Sequence, residues 1–374
     1  MTTIIIGAGA GGLACAVRLK QNCPGCSVKV LERMHEPGRK ILATGNGRCN
    51  LSNVSAPHSS QVVDFFNSIG VITRTDSEGR IYPYSNQAST VLEALTESCE
   101  KLGVEIITDC TVERIDSSLC VHTSKGEFYA DSVVVAAGGK AQKNLGSNGS
   151  GYDLLKSLGH SITPLYPALV QLTSSSKYPR ALKGHRVKCR MTVQLDSSDI
   201  KSEYGEVLFA DYGLSGIVTM NLSDIVSENF AKENPQKCHA VLDLVPDMSQ
   251  EELERHIKNF GSLKGILGSA LADIIEKQAS ADVHRQAQIA KNWKLIITGT
   301  KGFDYAQITG GGAELNEFDH YRSKLVSGLY ACGEVLDRQF ECGGFNLNFA
   351  WLSGITVADK IASLYNKVNK YDKN

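Results

Sequence analysis

Apolar positions arrive in short, dense runs at the start of this chain. Thr2-Thr-Ile-Ile-Ile6 is unbroken enough for a strand buried on both faces, and Leu13–Leu19 carries apolar residues at helical spacing. Val28-Lys-Val-Leu31 predicts a second buried strand. Residues 61–70 and 88–102 show helical periodicity, and Arg80–Tyr84 between them reads as a short strand or turn. Four alternating runs follow: Val104–Ile107, Thr111–Ile115, Cys120–Thr123 and Glu127–Ala130. They predict the strands of one small antiparallel meander. Asp131–Gly139 is an apolar parallel strand that ends in glycines.

The texture changes in the middle of the chain. Strand signals dominate from Leu169 to Leu222: Val187–Leu195 alternates, and Gly205–Ala210 follows it. This predicts an inserted β-barrel or sandwich. Residues 249–278 read as helices, with Ser249 as N-cap and Glu252 three residues on in a capping-box pattern. Lys294–Ile297 returns to strand. After Ala306 the α/β character resumes, with a strand from Leu325 that ends at Gly333-Glu334 and an amphipathic helix over Leu352–Tyr365. The expected fold class is α/β: a discontinuous Rossmann-like domain at 1–165 and 300–374. It is interrupted by a β-barrel and small helical subdomain at 166–299.

The punctuation between the first elements carries the chemistry. Gly7-Ala-Gly9-Ala10-Gly11-Gly12 joins the first strand to the first helix, and Glu32 closes the second strand 20 residues beyond Gly12. In a dinucleotide site Gly7 permits the tight turn, Gly9 lets backbone approach a pyrophosphate, and Gly12 lets helix and strand pack closely. Glu32 accepts from a ribose, and the pyrophosphate sits on free N–H groups at the helix N-terminus.

Composition narrows the classes. The formal net charge is −1 and charged residues make up 21% of 374, which argues against nucleic acid or an anionic membrane as partner. No apolar run reaches the length of a membrane span. No basic region precedes Ile4–Ile6, so a strand is expected there and not a signal peptide. Eleven scattered cysteines fit a reducing cytoplasm better than a disulfide framework. Cys23-Pro-Gly-Cys26 has CxxC spacing but falls in the turn that enters the second strand, at the edge of the sheet away from ligands. With no second pair to complete a zinc site, it is expected to be an inert pair. No metal constellation is legible.

The opening fingerprint does not choose between NAD and FAD. Two later segments favour FAD. The strand that ends at Ala137-Gly138 brings backbone against the adenosine side of a dinucleotide. Gly333-Glu334-Val-Leu-Asp337, followed by Gly343-Gly344-Phe345-Asn346-Leu347, can set an acid on a ribityl chain and a helix N-terminus at the pyrimidine edge of a flavin. On these residues the chain resembles the HI-type bacterial flavoproteins, the aminoacetone-oxidase or bile-acid-reductase-like family of NAD(P)/FAD-dependent oxidoreductases in the glutathione-reductase structural superfamily. Gly7–Gly12, the loop Gly38–Asn53, Gly205–Gly216, Thr309–Gly312, Gly333–Asp337 and Gly343–Leu347 carry the resemblance, which spans essentially the whole chain. It implies an FAD domain split by a barrel-and-helix insert, and a run Gly45-Asn46-Gly47-Arg48-Cys49-Asn50 beside the flavin. Arg33 and Val112 complete the candidate cofactor contacts. Arg338–Glu341 departs from the family, in which that stretch is smaller and more acidic.

Arg39, Lys40 and Arg48 are candidates for FAD phosphates or an anionic substrate. Cys49 has no second cysteine within six residues, so a dithiol relay is not expected and a small buried residue is. Cys332 and Cys342 are read the same way. Tyr82, Tyr212 and His185 are weak candidates for a proton donor or acceptor, with Tyr84 and Asp211 behind them. His160, after the helix-ending Gly159, is expected to be a cap or surface residue. Gly146–Gly151 follows a polar segment and reads as a loop, so no separate NAD(P)H domain is evident. The expectation is an FAD-dependent oxidoreductase on a small organic substrate that reduces an activated double bond with transient NADPH or NADH. An oxygen-dependent amine or amino-ketone oxidase is the alternative, and a non-catalytic or RNA-associated flavoprotein the reading from another class. Glu32→Ala is expected to weaken FAD retention by about 1–3 kcal/mol, the cost of hydrogen bonds left unmade. Flavin titration of the apoprotein measures it.

Overall fold

A computed structural model describes residues 1–371. Its contacts divide the chain into two compact units, Met1–Leu165 with Ile308–Asn374 and Tyr166–Gln307.

The first unit is built on a parallel sheet. β1 (Thr2–Ile6) leads through Gly7–Gly9 into α1 (Ala10–Asn22) and then β2 (Ser27–Leu31). β3 (Glu105–Ile107) extends the sheet beside β2. β4 (Val112–Ile115), β5 (Cys120–Thr123) and β6 (Gly126–Tyr129) form a separate antiparallel meander. β7 (Ser132–Val135) pairs with β1, and β8 (Leu329–Ala331) pairs with β7. The order is β8-β7-β1-β2-β3, all parallel, with an antiparallel hairpin of Phe318–Asp319 and Arg322–Ser323 on the β8 edge. α2 (Phe345–Tyr371) closes the unit.

Burial on both faces explains the unbroken apolar runs. Ile5, Val28, Val30, Val134 and Tyr330 face a core shared with Leu13 and Val17 of α1 and Trp351, Val357 and Ile361 of α2. Their neighbours Ile4, Ile6, Leu31, Val133 and Val135 face the opposite core, with Ile115 and Val121 of the meander and Leu154 and Leu155. α1 and α2 meet through small residues: a Cβ on Gly354 would stand 2.2 Å from the Gly11 carbonyl oxygen.

The second unit holds a closed antiparallel barrel. Its strands run in the order Leu172–Ser174, Gly213–Ser215, Ser198–Ala210, Arg186–Leu195, Cys238–Asp243 and Trp293–Thr300, which pairs back with the first. Cys189, Met191, Val193 and Leu195 alternate into its core beside Phe209, Trp293 and Leu295. Helices Gln250–Phe260, Ser269–Ala279 and Val283–Lys291 add Leu253, Ile257, Ile275 and Ala287 to the same core. The capping box forms: Ser249 Oγ accepts from Glu252 N–H, and Glu252 Oε2 accepts from Ser249 N–H at 2.8 Å. The α/β domain with an inserted barrel and helices is the architecture expected from the sequence.

Four local expectations need correction. The run expected at 104–107 forms the strand Glu105–Ile107 of the parallel sheet and not part of the meander; with strands this short, alternation does not identify the partner. The segment 169–222 also contains helices, at Lys177–Ala181 and Ile217–Asn221. Cys23 and Cys26, both buried, are joined as a disulfide with Cα atoms 5.6 Å apart. Lys20 Nζ donates to Pro24 O at 2.7 Å and Cys26 O at 3.0 Å, so the turn between α1 and β2 is tied twice.

The fourth correction is His160, which is neither a cap nor on the surface. It is 2% exposed, its ring stacked on Phe318 at 4.5 Å. Nδ1 lies 2.9 Å from Glu317 Oε2, and Nε2 lies 2.9 Å from Ser323 Oγ. Burial raises the Glu317 pKa, but hydrogen bonds from Ser161 and His160 outweigh that and hold it below its ordinary value. A lowered folded-state pKa adds stability above the unfolded value of about 4.3, and that stability is lost as pH falls through the folded value. Glu317→Gln is therefore expected to cost about 1–3 kcal/mol near neutral pH. The gap to the parent chain in urea unfolding should close as pH drops below the carboxylate range.

Candidate functional site

The C-terminal ends of β1, β2 and β7 converge on the N-terminus of α1. A Cβ on Gly7, which has φ +102°, would meet the Ala136 carbonyl oxygen at 2.5 Å, and one on Gly12 would meet the Gly7 carbonyl oxygen at 2.0 Å. These two glycines are required by close backbone approach. Gly9 differs: a Cβ there meets nothing within 4 Å, so the space in front of the helix is open. Gly9 is the N-cap of α1 and supplies no side-chain cap, so the first N–H groups, from Ala10 to Gly12, face that space without an intrahelical acceptor. The opening fits a phosphate-bearing group.

Glu32 follows β2 at the same edge. Its Oε2 accepts from Ala8 N–H at 2.8 Å and its Oε1 from Met34 N–H at 2.8 Å, which orients the carboxylate at the strand end. Arg33 Nη2 donates to Gly146 O at 3.1 Å and holds the Gly146–Gly151 loop, which leads into the helix Ser150–Ser157. Val112 opens β4, half-buried, with Thr123 as its cross-strand partner.

A second cluster joins three segments far apart in sequence. Lys40 Nζ lies 2.8 Å from Glu334 Oε2, both side chains mostly buried. Glu334 Oε1 accepts from Thr309 N–H at 2.9 Å, and Thr309 Oγ1 accepts from Lys140 N–H at 2.7 Å and Ala141 N–H at 3.0 Å. This pins the turn after β7, with Ala137 and Gly138, to the turn after β8, with Gly333 and Glu334. The Tyr152 hydroxyl donates to Glu334 O at 3.3 Å; burial, then the Glu334 charge, push its pKa far up. Asp337 Oδ2 accepts from Thr163 Oγ1 at 2.9 Å.

The loop after β2 lies against the start of α2. Asn53 Nδ2 donates to Gly343 O at 3.2 Å, and Ser52 Oγ to Asn348 Oδ1 at 2.7 Å. A Cβ on Gly344 would stand 2.6 Å from Ser52 O and 2.8 Å from Asn50 Oδ1. That Asn50 oxygen is buried without a hydrogen-bond partner. Asn346 ties itself to Phe340 through both N–H···O contacts, at 2.9 and 2.8 Å, which sets Phe345-Asn346-Leu347 as the first turn of α2. Gly45 and Asn46 are left-handed (φ 57° each), as is Cys49 (φ 59°). Arg48 lies over the Tyr82 ring at 4.8 Å and donates to Gly45 O. Arg39, half-buried at the start of a short helix, makes no ion pair among the described residues. Burial pushes the Cys49 thiol up to about 12 against a hydrogen bond with Thr44, and burial does the same to Cys332. Neither is poised as a thiolate.

The catalytic candidates divide between the units. Tyr82 is buried in the first, beside Gly45 and Arg48. Tyr212 and His185 belong to the second. Tyr212 lies under Lys301 at 4.4 Å, and His185 is exposed with Nδ1 3.1 Å from Leu182 O. Tyr84 is exposed, and Asp211 is paired with Lys183 at 2.7 Å, which lowers its pKa. Reading along the chain missed Ser52, Tyr152, Thr309 and Asn348 as site-building residues. Each acts through a contact more than 160 positions away, and only the glycines around Thr309 marked its place.

A family model described as "HI0933-like protein Rossmann domain" matches residues 1–60 and 55–360. The chain is 33% identical over 397 aligned positions to the 3-dehydro-bile acid delta(4,6)-reductase of Clostridium scindens, across 94% of this chain and 96% of that protein. It is 27% identical over 407 positions to the ribosomal RNA dihydrouridine synthase of Haemophilus influenzae, across 96% and 98%. A solved 3-ketosteroid delta1-dehydrogenase from Sterolibacterium denitrificans shares the fold with a TM-score of 0.56 at 12% identity, over 97% of this chain and 99% of that one.

The glycines make opposite predictions. Gly9→Ala has an allowed backbone and open space, so the protein should fold with unchanged circular dichroism but purify with reduced flavin occupancy. Gly7→Ala should lose soluble expression altogether, because it strains φ and collides with Ala136.

Proposed function

The chain belongs to the HI0933-like family and is an FAD-dependent oxidoreductase, and on that premise we propose that it reduces an activated carbon–carbon double bond of a small organic substrate with electrons from NADPH or NADH. The observation that carries this reading is the match, along almost the whole of both chains, to a protein named for reducing delta(4,6) bonds. The dihydrouridine synthase is likewise named for a product with two added hydrogens.

FAD, when bound, supplies two-electron hydride chemistry. The chain's own residues hold and orient it. The open N-terminus of α1 at Gly9–Gly12 receives the pyrophosphate, and Glu32 accepts from the adenosine ribose. Val112, Ala137 and Gly138 flank the adenosine half, with Arg33 bracing the loop beside it. Glu334 and Asp337 lie by the ribityl chain, and Lys40 balances the Glu334 charge. Gly45–Asn50 and the first turn of α2 border the flavin ring, and the positive end of that helix favours negative charge at its pyrimidine edge. Arg39, which makes no ion pair among the described residues, is a cation that meets a phosphate or an anionic substrate. We assign proton delivery to Tyr82: of the two tyrosine candidates in this unit it is the buried one and touches the Gly45–Arg48 loop, whereas Tyr84 is exposed.

Net charge −1 favours a small substrate over a polyanion. The nucleic-acid reading has one specific support, the ribosomal RNA relatives. No helix among the described residues is long and apolar enough to cross a membrane.

The test is an anaerobic mix of the yellow protein with NADPH and then NADH, followed by a conjugated enone such as a 3-oxo-4-ene steroid. Bleaching of the flavin band by a nicotinamide and its return with the enone are expected. Bleaching by neither nicotinamide, but by an amine or amino-ketone, overturns the reductase reading in favour of the oxidase. Return of colour with unmodified ribosomal RNA and not with enones overturns the small-molecule reading.

A further inference from the structure

The meander β4–β6 gathers a set of side chains that the flavin site does not use. Asp116 lies in the turn between β4 and β5. Cys120 and His122 project from one face of β5, two residues apart. One potential ligand atom from each of the three lies within 4.8 Å of the other two. Cys120 is buried, and the His122 side chain is 21% exposed.

The contacts of His122 cannot all be satisfied. Nδ1 lies 3.1 Å from Glu127 Oε1 on β6, and Nε2 lies 2.7 Å from Asp116 Oδ2. An Arg114 guanidinium nitrogen lies 2.9 Å from the same Nε2. With its proton on Nδ1 the ring donates to Glu127 and accepts from Arg114, but its Nε2 lone pair then faces a carboxylate oxygen. With the proton on Nε2 it donates to Asp116, but a bare Nδ1 faces Glu127 and an N–H of Arg114 faces an N–H. Doubly protonated, it serves both carboxylates and still opposes Arg114. No protonation state satisfies all three neighbours.

A metal ion at Nε2 removes the conflict. We propose that Asp116, Cys120 and His122 form a site for a divalent transition metal of the zinc class. The His122 Nε2 lone pair, the Cys120 thiolate and an Asp116 carboxylate oxygen supply three ligands, and water takes the fourth position. Thiolate, imidazole and carboxylate together suit zinc and disfavour magnesium or calcium. Glu127 then becomes the outer partner that fixes the ring, accepting from Nδ1–H as carboxylates do behind metal-bound histidines. The Tyr129 hydroxyl donates to the other Glu127 oxygen at 2.9 Å and holds it in place. Binding releases the Cys120 proton to solvent, and the metal charge offsets the burial of the thiolate. Tetrahedral bonds of about 2.0–2.3 Å set ligand atoms about 3.3–3.8 Å apart, so the 2.7 Å contact between His122 Nε2 and Asp116 Oδ2 opens by about 0.6 Å as the ion enters between them. Asp116, on a turn, has room for that movement. Arg114, which also lies 3.4 Å from Asp116 Oδ1, is 60% exposed and swings into water as the metal takes its place. The metal staples the turn at Asp116 to β5, in the hairpin whose other strand begins at Val112.

The experiment uses the full flavin-loaded chain, stripped with EDTA, desalted and titrated with zinc chloride by calorimetry, with metal content checked by mass spectrometry. One zinc per chain is expected. Cys120→Ser and His122→Gln should each weaken binding by more than about 100-fold, and Glu127→Gln by about 10–100-fold, as for outer partners elsewhere. Arg114→Gln should bind several-fold more tightly, because no guanidinium competes for Nε2. Flavin content and circular dichroism report folding, and Asp116→Asn at the turn provides the ligand test if Cys120→Ser does not fold. Absence of stoichiometric zinc in the parent chain overturns the proposal. Retention of parent affinity by the ligand variants also overturns it, since zinc would then be held by other cysteines. Unchanged or weaker binding in Arg114→Gln overturns the exchange of guanidinium for metal.

Discussion

The close approach of backbone at the start of α1 is the constraint on which the first unit depends. Gly12 stands where any side chain would meet the Gly7 carbonyl, and Gly7 stands where any side chain would meet the backbone after β7. Together they press the helix N-terminus onto the ends of the central strands. Its unpaired N–H groups and positive dipole end then aim at a space that Gly9 leaves clear. At the flank of α1 the same economy recurs: Gly354 of α2 packs on Gly11. Two helices can thus lie side by side above one sheet.

Around that constraint, polar groups hold distant loops in register. Lys40, Glu334 and Thr309 come from three separate stretches and form a hydrogen-bonded chain that is mostly withdrawn from water. Breaking one partner leaves the others buried and unpaired, which costs more than the contact is worth in isolation. Such a network holds the turn after β7 and the turn after β8 at a fixed separation. Cys49 and Cys332 are both buried with thiols raised by that burial, so neither is poised as a thiolate.

His160 shows how a residue can be misjudged from its neighbours in sequence. A histidine after a helix-ending glycine looks like a cap. The chain instead turns it inward against Phe318, and Glu317 and Ser323, more than 150 positions on, satisfy both nitrogens. Residues 104–107 show the same problem for strands: three or four alternating residues fit either an antiparallel meander or a parallel edge, and only β2 decides. The Asp116–Cys120–His122 cluster was invisible for a related reason. Its spacing matches no familiar ligand pattern, and the hairpin alone brings the three side chains together.

Local patterns determined the elements and their chemistry. The runs at Ile4–Ile6 and Val133–Val135 demand burial on both faces, the glycines at 7, 9 and 12 demand close backbone approach, and Glu32 follows the strand that such sites require. These signals act over a few residues, where sterics and periodicity suffice. Tertiary structure decided which distant groups meet: Lys40 with Glu334, Asn50 with Gly344, His160 with Glu317, and the Cys23–Cys26 link across its turn. Those choices depend on the geometry of the finished sheet and barrel. A hydrogen bond between residues hundreds of positions apart leaves no periodicity in the chain, and its partners become neighbours only after the elements between them have packed.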